Sequence, residues 1–442
     1  MAQPIIIQEG IFCKYLIALQ GAMRPSQWKY FVTVQMGLVH CQASRTLSGI
    51  LRSVATWVTV WQLSRFLISP RWTTEKLAEE RYRVYTAEVQ PLVAAAHAEQ
   101  RRQRVKRRGR YRATVVTGYL ILDDSTHVKR YAQKMGGQGQ HYSSIDKCTM
   151  PGHSLFQGLY LVEGHQYPLD PQMYIQKAVC EAEQRPFRSK VDLALDVVTT
   201  FSPLPETQTH VLVDSWYVSK RMWKTVKQRH WDLTGGLKRN RKLRIVNAEG
   251  EREWMRVDDF ADELSAEQFQ AVAWPSQEGE RTVYAHLQRT RIKKLGVCQI
   301  LVVKPAADAP VEQARFFVTT RLLDTLEQVV HAVALRWAVE TLFADFKELM
   351  GSDHYQLRSA EAIRRFWALG LCLYQFLDGL RHRLQRLQQQ HVTLGETHHW
   401  LRERQHQRMI DWVCSLSAKG VPSLIIQQEL APALPALSLA NC

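Results

Sequence analysis

Apolar positions follow helical spacing through the first hundred residues and strand spacing for most of the next two hundred. Residues 44–51 and 58–67 read as two short helices about a break, closed by Ser69 and Pro70, and residues 75–88 as a charged amphipathic helix. After residue 112 the pattern changes. Residues 115–122 form a β-rich apolar run that ends at Asp123, Asp124, Ser125 and Thr126. Residues 153–162 and 165–174 read as a strand pair turning at Glu163 and Gly164. Residues 190–201 have helical spacing, residues 210–213 a short strand ending at Asp214, residues 217–227 a helix, and residues 233–237 another strand. Short strands at 283–287, 297–303 and 314–319 sit in polar surroundings and predict a β-rich insertion over 245–318. Residues 325–350 contain no Pro or Gly and predict one long helix, with further helices at 360–389 and 396–417 and a loose, Pro-punctuated tail.

Strands followed by helices, behind an early helical segment, indicate a mixed α/β core. The expected divisions are a helical domain at 1–111, a core at 112–244 and 319–390 interrupted by the insertion, and a helical segment at 391–442. The pair of short helices suits a helix-turn-helix as well as a plain bundle.

Composition is ordinary for a globular chain, at 45% hydrophobic and 23% charged, but the balance of charge is not: 58 Lys and Arg face 42 Asp and Glu, a net of +16. Residues 1–110 hold 17 basic and 6 acidic side chains, a net of +11, and seven of the ten residues 101–110 are basic, Arg107 and Arg108 among them. That excess points to a polyanionic partner, with the 101–110 block as a phosphate-neutralising strap. No stretch is apolar enough to span a membrane, since residues 47–63 are interrupted by Arg52, and no signal peptide is read at the start. The eight cysteines form no Cys-x-x-Cys pair, which predicts reduced thiols in a cytoplasmic protein.

Four carboxylates stand where chemistry is done. Asp123, Asp124 and Asp214 follow apolar strands, and Glu340 lies within a helix. Carboxylates at the ends of neighbouring strands, facing one from a packed helix, form an oxygen-rich site suited to Mg²⁺ or Mn²⁺. Asp123 and Asp124 point to opposite faces of a strand, so one of them enters the site. Both are kept, with Asp124, directly before Ser125, the first choice. At about 100° per residue, Arg336, Glu340 and Lys347 fall within about 40° of one another, a stripe that sets an acid between two phosphate-binding cations.

These residues resemble the DDE transposases of bacterial insertion sequences, in particular those with a Tyr-x2-Arg-x3-Glu-x6-Lys helix. Arg336, Glu340 and Lys347 match that spacing, while Val333 stands at the Tyr position. Residues 122–125 and 211–214 resemble the family's first and second Asp strands, and Asp123 to Lys129 and Pro151 to Ser154 look typical of one branch. The resemblance implies a ribonuclease-H-like core and two Mg²⁺ ions, replaceable by Mn²⁺. It implies hydrolysis at the ends of a mobile element followed by strand transfer, with a homodimer on paired duplex ends. It also implies DNA contacts from Lys129 and from Lys238, Arg239, Arg241, Lys242 and Arg244. A regulator with an inactive core, or a nuclease without strand transfer, are the alternatives.

Overall fold

The computed structural model describes residues 3–4, 10–106, 115–143, 147–246, 250–276 and 279–430. Helices α1 (Ile11–Ala18), α2 (Pro25–His40), α3 (Leu47–Arg52), α4 (Val60–Ile68) and α5 (Thr74–Lys106) come first. Thr59 and Gln62 form a reciprocal capping box that fixes the start of α4. Helix α5 runs 18 residues past the expected end at residue 88 (106 against 88) and takes up the first part of the basic block. Arg107 and Arg108 lie outside the described residues.

The main sheet has thirteen strands. They are β1 (Thr117–Val128), β2 (Gly139–Ser143), β3 (Cys148–Val162), β4 (His165–Pro168), β5 (Gln172–Tyr174), β6 (Gln208–Val213), β7 (Asp232–Gly236), β8 (Lys242–Val246), β9 (Arg252–Arg256), β10 (Gln270–Ser276), β11 (Gly279–Ile292), β12 (Gly296–Lys304) and β13 (Arg315–Thr319). The connecting helices are α6 (Lys177–Ala182), α7 (Lys190–Thr200), α8 (Lys220–Gln228) and α9 (Val257–Asp262), and the chain closes with α10 (Leu326–Leu335), α11 (Ala338–Glu348), α12 (Ala360–Gln388), α13 (Leu394–Ala418) and α14 (Ser423–Leu430).

Strand β1 is central. It runs antiparallel to β3 and parallel to β6, which is parallel to β7. This is the strand arrangement of a ribonuclease-H-like core, as expected. The β3–β4 hairpin turns at Glu163 and Gly164, both at positive φ (49° and 78°), the geometry a two-residue hairpin turn demands. The insertion is not a separate layer. Strand β13 pairs antiparallel with β7, so β8 to β13 lengthen the core sheet itself.

Two expectations are corrected here. The acidic doublet does not end its strand: β1 continues to Val128, because β3 is long enough to pair with it as far as Val128 opposite Gly152. The helix at 325–350 is broken. Arg336 and Trp337 donate their N–H groups three residues back, to Val333 and Ala334, and Val339 and Glu340 do the same to Arg336 and Trp337. One tight turn thus separates α10 from α11 with neither Pro nor Gly to mark it.

The two faces of the sheet carry different cores. Leu120, Leu122, Val211 and Val213 pack with α7 and α8, while Ile121 and Leu212 pack with α11, α12 and the N-terminal helices. The helices of residues 11–77 therefore share one buried core with α12. Within it α3 and α4 pack on each other and α4 on α12, so the two short helices belong to this bundle.

Candidate active site

Parallel pairing places the carboxylates. Leu122 is opposite Val213 in the β1–β6 register, so Asp123 and Asp214 are the next residues along neighbouring strands and share a face. That is the face of Ile121 and Leu212, the one α11 covers. Glu340, in the first turn of α11, closes the arrangement. The Arg336 guanidinium links the elements: it donates to Asp123 Oδ2 at 3.0 Å and to Glu340 Oε1 at 2.8 Å.

Asp123 is mostly buried and in poor electrostatic company. Burial pushes its carboxyl up to about 7, Asp124 and Asp214 add to the rise, and Arg336 and the Asp124 amide pull against it. The site therefore holds more negative charge than its one guanidinium offsets, the condition under which a divalent cation binds. The donors are oxygens throughout, which suits Mg²⁺ or Mn²⁺.

Asp124 faces the other way. It accepts from Lys190 Nζ at 2.6 Å, Tyr217 Oη at 2.8 Å and Ser154 Oγ at 3.3 Å. Burial, and then contact with this carboxylate, drives the Tyr217 phenol well above its ordinary range. Nothing in the sequence singled out Lys190 or Tyr217, since their contact with Asp124 depends on strand parity and on α7 and α8 packing beneath it.

The expected cations are placed unevenly. Lys347 Nζ donates to Thr126 O at 3.1 Å, tying α11 to β1, and burial lowers its pKa. Lys129 Nζ donates to Asp353 O and, at 2.7 Å, to Tyr355 O, and lies 3.8 Å from the Tyr355 ring. Those bonds make it a clamp on residues 353–355, and burial there pushes its ammonium down to about 8. Arg239 donates to Glu312 O and Ala314 O, and Arg241 to Val218 O at 2.9 Å. Lys238 reaches over the exposed Trp216 ring, two residues past Asp214. Lys242 and Arg244 lie on β8, away from the carboxylates.

Beside Arg336 opens a cavity of about 270 Å³, lined by Trp274, Phe317, Trp337, Arg281, Arg315 and Val333. Val333, where the resembled motif has Tyr, forms part of its wall. Trp337 directly follows Arg336 in the motif, and Trp216 lies two residues past Asp214. Arg281 and Arg315 left no signal, because only sheet pairing brings them here. A separate group, His165, Asp378 and His382, has ligand atoms within 4.8 Å of one another, but Asp378 already accepts from the Gln166 amide and from Arg381.

Residues 188–376 match the family model described as Transposase DDE domain. That stretch is similar to a transposase DDE domain. Such domains are those of metal-dependent enzymes that act on DNA. The matched part includes Asp214, Arg336, Glu340 and Lys347 but begins after β1, so Asp123 joins the site through the fold. No curated protein matches the chain. Among solved structures, a cryo-EM structure of a piggyBac transposase synaptic complex with hairpin DNA overlaps loosely. It has 9% identity and a TM-score of 0.48, over 98% of this chain and 80% of that one. No helix among the described residues is long and apolar enough to cross a membrane.

Proposed function

We propose that the chain is the transposase of a bacterial insertion sequence. It binds the inverted repeats at the element's ends, hydrolyses the phosphodiester there, and joins the freed 3′-hydroxyl to target DNA, with two copies holding a pair of ends. The observation that carries this reading is the convergence of Asp123, Asp214 and Glu340 on one sheet face with Arg336 held between two of them.

Asp123, Asp214 and Glu340 are the residues that would hold two Mg²⁺ ions, or Mn²⁺ in their place. Bound there, the metal supplies Lewis acidity to the scissile phosphate and lowers the pKa of the attacking hydroxyl. The protein does the rest. Arg336 holds the Asp123 and Glu340 side chains in register before DNA arrives and offers a planar guanidinium to a phosphate afterwards. Asp124 keeps α7 and α8 docked under β1 through Lys190 and Tyr217. Lys347 fixes the distance from α11 to β1. The cavity lined by Trp274 and Trp337, with Arg281 and Arg315 at its rim, suits a nucleotide next to the scissile bond.

The test is cleavage of a duplex that carries the element's end, in Mg²⁺, by Asp123→Asn, Asp214→Asn and Glu340→Gln proteins. Each loses cleavage while keeping duplex binding. Wild-type cleavage by all three would remove the site from the reaction.

A further inference from the structure

The remote edge of the sheet carries a second concentration of positive charge that the carboxylate site does not use. On β11, Leu287 lies opposite Leu301 and Arg289 opposite Gln299, so Arg289 and Arg291 share the face of Leu287. On β8, Leu243 pairs with Ile292 and is buried, which sends Lys242 and Arg244, its neighbours, to that same face. On β9, Arg252 lies opposite Val246 and two places from the partner of Arg244, again on that face. The β11–β12 turn adds Lys293 and Lys294, both exposed.

These strands also part. Strands β8 and β11 pair only at Leu243 and Ile292 and then diverge, leaving a cleft of about 640 Å³. Its wall includes Arg244, Arg252, Arg289 and Arg291 and, among the described residues, no carboxylate. Among the described residues none of these four arginines makes an ion pair, in contrast to Arg256 on the same strand as Arg252, which is held by Asp258 and Asp259. Four like charges converging on a cleft wall without a described carboxylate repel one another, and a polyanion relieves that repulsion.

We infer that this edge is a second DNA-binding surface, on which Arg244, Arg252, Arg289 and Arg291 neutralise phosphates of a duplex. The inference rests on the DNA-acting reading for the identity of the polyanion. Duplex fits better than an unpaired strand because the exposed cations form a broad face without a row of exposed aromatic platforms; Trp254 stands among them, under Lys293, and Phe260 is only partly exposed in the cleft. The surface is also remote. Five strand spacings separate β11 from β1, about 24 Å at ~4.8 Å each. At ~3.4 Å per base pair that is about seven base pairs from the scissile bond.

The test uses the full chain and a 30-base-pair duplex of arbitrary sequence, with binding measured by fluorescence anisotropy from 50 to 200 mM salt. Replacing the four arginines by Ala makes the log–log salt slope shallower by about 3.6, or 0.9 for each phosphate left unneutralised, and replacing them by Lys restores it. Arg291→Glu, a single exposed change, gives a smaller shift in the same direction and serves if the fourfold variant fails to fold. An unchanged slope in both the Ala and the Glu proteins overturns the surface. So does equal loss of binding to a single-stranded RNA of the same length held as tightly as the duplex. Asp123→Asn keeps the wild-type slope, so loss of cleavage there and loss of slope here report on the two sites separately.

Discussion

Asp123 and Asp124 are chemically identical neighbours with opposite surroundings. Asp123 has one guanidinium and two repelling carboxylates, whereas Asp124 has an ammonium, a phenol and a hydroxyl. Asp124→Asn should therefore destabilise the fold, by about 2–4 kcal/mol, because it strands the partly buried Lys190 charge. Asp123→Asn should leave the melting temperature unchanged or higher while cleavage is lost. Melting curves and cleavage run on both variants check the division. The doublet was plain in the sequence, but its orientation was not, since it is set by a register (Leu122 with Val213) that only pairing reveals. The contact of Arg336 with Glu340 was readable as an i,i+4 pair. The partners of Lys129 and Lys347 were not, because they are backbone carbonyls of distant segments.

Buried histidines give this scale a second prediction. Burial pushes His153 and His398 down to about 4 and His210 to about 3, so all three are neutral in the folded chain at pH 7. Their folded pKa values lie below the unfolded value near 6.5. Their contribution is therefore full above that pH and is lost as pH falls toward 4, while the unfolded chain takes up protons. The loss is about 2 kcal/mol per histidine at pH 5. Asp170 and Asp345, raised to about 6 chiefly by burial, act in the opposite sense between 3.8 and 6 and reduce the net slope. Urea midpoints between pH 7.5 and 5.0 should fall, and a His210→Gln protein should show a shallower fall.

Among elements, the decisive piece is α11. It carries Glu340, and it sits against α12 where Gly370 allows close approach: a Cβ at Gly370 would lie 2.7 Å from the Phe346 ring, which is itself buried. Gly370→Ala should cost about 1–3 kcal/mol by overpacking and shift α11 relative to β1, lowering cleavage beyond what the stability loss explains. Cleavage below the melting range, compared with a Gly395→Ala control, where an added Cβ meets nothing closer than 4.0 Å, checks this. The β3–β4 hairpin was legible because two strand-like runs meet at Glu163 and Gly164. The break before α11 was not, because its cause is a run of three-residue hydrogen bonds without a marker residue.

Across the whole molecule, one buried arginine joins the two halves of the chain. Arg365 on α12 donates to Leu67 O, Ser69 O and Trp72 O, between α4 and α5. Arg365→Met removes a buried cation and leaves three carbonyls unpaired, so the N-terminal helices should loosen, with a loss of about 3–5 kcal/mol. Faster limited proteolysis between residues 40 and 75 is the expected readout. The helices themselves were readable from their periodicity. Their partner was not, since an amphipathic stripe says that a face is covered without saying by what.

That partner also imposes a timetable. Tyr15 bonds to Cys372 O, 357 residues away, and Gln35 to Leu369 O, 334 residues away. At about 5–20 residues per second a ribosome needs roughly 17–70 s to make the intervening chain. For that interval the first helices lack the α12 face they share a core with, and Asp123 has no α11 above it. A nascent chain released early is therefore an aggregation hazard, and it is also unarmed.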